Sequence, residues 1–278
     1  MTSILDNPVI QSAVLPLLLS LGLTGLIRLV LGPAFGIRLA AVAVTLSFLV
    51  CQALIQAPVF PPRSSSQKLP YLVAGALLLG LLIDSLDLRA RVQQTAMAVL
   101  AITGIGWLLY GRFDRIDVAG WILLPMLFAA PMLAQQRCLE RRDSLDGGIL
   151  LLLASAGIGA ITLIGASASM AQIGFALMAA LGGFLLWNWP TRRFPLNATV
   201  QLSTLTALLA LATQMLFYTK ANGWALLLLT PLLLVDRVGR NMESQALRAL
   251  LVTGTAVAVC AVAVGTAWMM SEPSSSGY

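Results

Sequence analysis

The sequence predicts an all-α, polytopic integral membrane protein of about ten transmembrane helices. Three observations carry that prediction. Of 278 residues, 59% are hydrophobic and only 10% are charged, and the mean hydropathy is +0.90; soluble domains carry about 25% charge. The apolar residues gather in runs near the ~20 residues that a helix needs to cross the hydrocarbon. Lys and Arg fall unequally on alternate connections, as orientation in a bilayer requires.

Ten segments follow in order: 9–31, 35–57, 69–86, 92–110, 118–136, 147–167, 170–189, 198–218, 222–235 and 249–270. The first is read as a span and not as a cleavable leader, because Met1–Asn7 holds only Asp6 where a basic region would stand. The third and ninth are short. The ninth, LLLLTPLLLVD, carries Pro231 and is expected to be kinked or only partly spanning. The sixth is preceded by Asp143 and Asp146, either of which suits an N-cap before GGILLLL. The segments make one transmembrane domain over 1–270, followed by a polar tail, SEPSSSGY, at 271–278 that is expected to be disordered.

Orientation comes from the charges. The connections after odd-numbered segments hold Arg28, Arg38, Arg89, Arg91, Arg137, Arg141, Arg142, Arg192, Arg193, Arg237, Arg240 and Arg248. The others hold Arg63, Lys68, Arg112, Arg115 and Lys220. This places the odd loops in the cytoplasm and both termini on the non-cytoplasmic side. Six tryptophans (Trp107, Trp121, Trp187, Trp189, Trp224 and Trp268) stand near segment ends, as interfacial anchors do.

Several classes of chemistry are excluded. No histidine is present, which removes imidazole acid–base catalysis, Ser-His-Asp triads and haem ligation through His. Cys51, Cys138 and Cys260 lie far apart and form neither a disulfide framework nor a CxxC metal site. The net charge of +6 would point to nucleic acid in a soluble chain; here it is read as loops against anionic lipid, with no nucleic-acid partner. Almost no charge falls mid-segment, where ion-coupled transporters place it. Gln52, Gln172, Gln201 and Gln214 do fall there, and interhelical hydrogen bonding accounts for them.

The acidic residues say more. Asp-Ser-Leu-Asp occurs at 84–87 and again at 143–146, both on odd loops, and Asp114–Asp117 repeats the spacing on the opposite side. Helix capping explains such motifs one at a time. A second reading sets the carboxylates beside Arg89, Arg91, Arg141 and Arg142 as a site for Mg²⁺ and a diphosphate, since Mg²⁺ bridges carboxylates to phosphate and Arg grips phosphate oxygens in pairs.

Four stretches together resemble one family. GLLIDSLDLRARVQQTAMAVLA (80–101), RRDSLDGGILLLLASAG (141–157), GGFLLWNWPTRRFPLNATVQL (182–202) and TPLLLVDRVGR (230–240) are similar, in order and spacing, to motifs of the polyprenyl-phosphate N-acetylhexosamine-1-phosphate transferases. These membrane enzymes move a sugar phosphate from a UDP-sugar onto undecaprenyl phosphate. The resemblance implies Asp84, Asp143 and Asp146 as catalytic carboxylates. It implies Arg89, Arg91, Arg192, Arg193, Arg237 and Arg240 at the substrate diphosphate, and Asp84 and Asn197 at the metal, with Mg²⁺ as cofactor. It also implies the bacterial inner membrane, polyprenyl phosphate as a lipid partner, and a homodimer or a place in a membrane complex. The departures are specific. The family's paired aspartates read Ile83-Asp84, its Gly-Asp reads Leu196-Asn197, its two asparagines fall on Arg137 and Glu140, and its late His-rich loop has no counterpart. The resemblance therefore implies a divergent member, catalytically weak or inactive. An active transferase and an unrelated ten-helix transporter are the alternatives.

Overall fold

The computed structural model describes residues 7–140, 145–165, 167–189, 193–219, 223–237 and 245–270, and every regular element among them is helical. The α-helices are α1 (Leu15–Leu39), α2 (Val42–Ile55), α3 (Ser65–Ser85), α4 (Ala90–Leu109), α5 (Val118–Glu140), α6 (Asp146–Ile164), α7 (Ala168–Trp187), α8 (Ala198–Tyr218), α9 (Trp224–Leu227) and α10 (Gln245–Met269). Eight helices in the described residues are long and apolar enough to cross a membrane, and α2 is a shorter apolar helix. The chain is a multi-pass, all-α membrane protein.

The segment boundaries have local causes. A π-helical turn, Ile10–Val14, opens α1. The stretch Leu15–Leu39 is interrupted at Gly32, whose φ of 72° and ψ of −176° suit glycine alone, and Pro33 restarts the helix with its fixed φ. That break separates the first two segments where the sequence places it. The second segment is then tightened at Ala40–Ala41 by Ala43 N–H to Ala40 O and Val44 N–H to Ala41 O bonds, which leaves α2 only 14 residues long. Helix α3 starts four residues earlier than expected because Ser64 and Gln67 form a capping box. Asp117 accepts the Gly120 N–H at 2.8 Å and caps α5, the bland reading of the outer Asp motif.

Helix α8 occupies the centre. Every residue from Ala198 to Met215 is buried, and α8 packs against α2, α3, α4, α5 and α6. Two of its polar residues bond to neighbouring helices. Thr45 and Ser203 share a hydrogen bond of 2.6 Å, and Gln214 Nε2 donates to Ser65 O at 3.2 Å. The Gln214 bond is the interhelical kind expected from the sequence. At the far end of α8, Arg112 donates to Phe217 O and lies 4.2 Å from the Tyr218 ring centroid, while the Tyr218 hydroxyl donates to Leu108 O. A guanidinium on the last carbonyls suits the negative end of the helix dipole. Trp187 is more than an interfacial anchor: its indole N–H donates to Leu21 O at 2.9 Å and ties α7 to α1.

The ninth segment is not one helix. It folds as the single turn α9 followed by a 3-10 run, Thr230–Arg237. Pro231 lacks the N–H and crowds the preceding turn, so the α-helix does not continue through it. The start and the later part of this segment pack at different levels of the bundle. Gly223 lies against Leu216 near the end of α8, whereas Leu232 and Val235 pack with Leu150 and Val252 near the starts of α6 and α10.

Candidate functional site

The site begins with how α3 stops. Leu88 N–H bonds to Ile83 O at 3.0 Å and Leu86 N–H to Leu82 O, with Asp87 in the left-handed region at φ 49°. This is a six-to-one C-terminal closure with Asp where glycine is commonest. It leaves Asp84 on the last turn of α3, facing the first turn of α8. The two helices meet closely at Gly80, where a Cβ would lie 2.5 Å from Thr199 Cα.

Asp84 caps α8 from another helix. Its Oδ1 accepts Ala198 N–H at 3.0 Å, and its Oδ2 accepts Thr199 N–H at 2.8 Å and the Thr199 hydroxyl at 2.5 Å. A carboxylate there satisfies otherwise orphaned N–H groups and meets the positive end of the dipole. Asn197 holds the N-cap position but does not cap; its Nδ2 donates to Arg38 O at 2.5 Å. The capping reading of the motif is therefore right in kind, although the helix capped is α8 and not its own.

These groups surround a cavity of about 190 Å³, lined by Arg38, Ile83, Asp84, Asp87, Gln93, Asn197 and Gln201 among others. The connections after α1, α3 and α7 thus meet at one end of the bundle. The α7–α8 connection is shaped by a residue without an assigned role in the sequence reading. Asn188 is fully buried, and its Oδ1 accepts Arg193 N–H at 2.8 Å and Phe194 N–H at 2.7 Å. Phe194 packs on Phe184 and Trp187 with centroids 6.3 and 6.2 Å away. The signal was the spacing Asn-x-Pro-x-x-x-Phe, which the fold uses to aim Pro195–Asn197 at the cavity.

Of the expected site residues, Asp84 and Asn197 meet here, with Ile83 as an apolar wall. Asp146 does not line the cavity. It is buried and paired with Arg248 of α10. Arg89, Arg91 and Arg193 are exposed and are not among the lining residues. Asp143, Arg192 and Arg240 lie outside the described residues, as does the side chain of Arg237. Arg38, counted in the sequence only as a loop charge, is the cation among the described lining residues.

A second hollow is an apolar groove between α5, α6, α8 and the ninth segment, lined by leucines such as Leu127, Leu151, Leu209 and Leu229, with Arg137 also on its wall. Arg137 therefore belongs to this groove and not to the polar cavity.

The Mg²⁺ implied by the resemblance can be tested against these residues. Both Asp84 oxygens already accept bonds from α8, and Ile83 has no ligand to offer. No group of three or more His, Cys, Asp and Glu gathers among the described residues. Magnesium is held by one or two carboxylates, with phosphate oxygens and waters completing a near-octahedral shell; with Asp84 engaged by α8, Asp87 is the other carboxylate of the described lining, a poorer set than paired aspartates would give.

Two variants test the α3–α8 junction. Gly80→Val is expected to lose about 1–3 kcal/mol by overpacking. Asp84→Leu is expected to lose about 2–4 kcal/mol, through the lost cap and the unsatisfied donors. Thermal unfolding in detergent reads both; an unshifted midpoint for Asp84→Leu would refute the capping role.

The fold and site define a multi-pass helical membrane protein with a polar cavity at one end and an apolar groove alongside. No family model matches the chain, and no curated protein matches it.

Proposed function

We propose that this protein is a divergent relative of the UDP-sugar:undecaprenyl-phosphate sugar-1-phosphate transferases of cell-envelope glycan synthesis, catalytically weak or inactive, acting as a binding or complex-forming subunit of the bacterial inner membrane. The observation that carries this reading is the pairing of Asp84 and Asn197 at one cavity, with the Asp84 carboxylate engaged as the cap of α8. Two of the motif positions, Asp84 and Asn197, share the cavity, while the Asp84 carboxylate that phosphoryl transfer would use is engaged by α8. Ten passes with both termini outside are inferred from the charge asymmetry of the loops, and eight helices of spanning length stand among the described residues. The leucine-lined groove suits a polyprenyl chain better than a water-soluble cargo, which favours this reading over a transporter.

The lipid half of the reading is tested with a photoreactive undecaprenyl phosphate in vesicles. Labelling is expected on the groove faces of α5 and α8 and on 226–232. Labelling spread evenly over the outer lipid-facing helices would count against it. The topology is tested separately by single-cysteine labelling of a variant that retains only one introduced thiol in the 271–278 tail. Modification from the non-cytoplasmic side is expected, and a cytoplasmic tail would sink the ten-pass arrangement.

A further inference from the structure

The polar cavity carries two opposite charges that the fold leaves unpaired. Arg38 and Asp87 both line it, and both are exposed. Among the described residues neither side chain makes a hydrogen bond or an ion pair, with the other or with a third group. Asp84, the other carboxylate of the described lining, has both oxygens on the first turn of α8.

Local structure gives these two charges no task. Arg38 O accepts Asn197 Nδ2, so the backbone beneath the guanidinium is tied to the start of α8 while the guanidinium itself is not. Asp87 stands at φ 49° in the closure after α3, where glycine is the least strained choice. Asp is tolerated in that conformation chiefly because its side chain can bond locally, and the Asp87 carboxylate makes no such bond among the described residues.

The pair narrows the ligand. An anion at Arg38 would share a cavity of about 190 Å³ with Asp87, and a cation at Asp87 would share it with Arg38. Like charges are costly at that range in a partly dry site. A zwitterion satisfies both walls: a guanidinium grips phosphate oxygens in pairs, and a carboxylate accepts the N–H groups of an ammonium. The cavity lies where α3 ends and α8 begins, both helices of spanning length, which sets it at the level of lipid headgroups.

We infer that this cavity binds a phosphoethanolamine head, with the phosphate at Arg38 and the primary ammonium at Asp87. The inference goes beyond the transferase-like reading and does not depend on it.

The test titrates the full chain in detergent with phosphatidylethanolamine, phosphatidylcholine and phosphatidylglycerol, with bound lipid counted by native mass spectrometry. Phosphatidylethanolamine is expected to bind about tenfold more tightly than the other two, because choline has no N–H for Asp87 and glycerol no positive charge, and one charge-assisted hydrogen bond is at stake. Arg38→Gln and Asp87→Asn are each expected to abolish that preference, with the thermal midpoint showing that the variant is folded; Asn suits the left-handed position. Equal binding of the three lipids, or a preference for phosphatidylglycerol, would overturn the inference, and the parent chain alone decides this should a variant fail to fold. A folded Arg38→Gln or Asp87→Asn that keeps the preference would overturn it as well. Soluble phosphoethanolamine separates the sources: displacement of the lipid assigns binding to the head alone, and no displacement assigns it to the head on its lipid, the zwitterion standing in both cases.

Discussion

Replacing Asp146 with Ala is expected to destabilise the protein by about 3–5 kcal/mol, because it strands a charge whose partner is no longer there. The Asp146 side chain is 4% exposed and that of Arg248 19% exposed, and the pair is the ionic link described between α6 and α10. Arg248 Nε has no hydrogen-bond partner among the described residues. Removing both charges together, as Asp146→Leu with Arg248→Met, should recover most of the loss, since well-packed apolar pairs replace buried ion pairs at little cost. A double-mutant cycle on unfolding in mild detergent reads the coupling. An Asp146→Ala variant as stable as the parent would show instead that the pair does not hold α6 to α10.

The second large effect concerns catalysis. The purified protein is expected to release little or no UMP from UDP-sugars with undecaprenyl phosphate in Mg²⁺. Phosphoryl transfer depends on positioned charge, and loss of one stabilising contact commonly costs about 100- to 1000-fold. Here Ile83 and Asn197 are neutral and Asp84 is tied to α8. Placing carboxylates at both positions, as Ile83→Asp with Asn197→Asp, should strengthen divalent-metal binding of the folded variant by about several-fold, because two negative charges come to a partly dry site; Ile83 is 1% exposed, so its replacement also costs stability. Turnover is still expected to be absent, since nothing repairs Arg137 and Glu140. Brisk UMP release by the parent chain would overturn the impairment. An unchanged metal affinity in the double variant would show that positions 83 and 197 never belonged to a metal site.

Much of the architecture is local information and was readable as such. Apolar runs of membrane length, the gap between the first two segments and the Asp117 cap act over a few residues, so the chain states them in order; the Ser64–Gln67 box is equally local but was not anticipated, and α3 starts four residues early because of it. The ninth segment was readable too: Pro231 predicts an interruption, and the turn α9 with its 3-10 continuation is what results. Loop charge is likewise a sum over positions, and it grouped the connections that meet at the cavity.

What a carboxylate does with its oxygens is not local. Asp84 opens one Asp-Ser-Leu-Asp motif and Asp146 closes the other; one caps α8 and the other is buried against Arg248, and the motif itself states neither outcome. The first outcome depends on Gly80 letting α3 touch Thr199, and the second on α10 docking against α6, contacts between residues more than a hundred positions apart. The sequence by itself determined a helical membrane protein, the order of its segments and the residue types near its site. Only the tertiary structure decided which of those residues share a cavity and which bonds they make there, because hydrogen bonds are satisfied by whatever donor packing brings within about 3 Å.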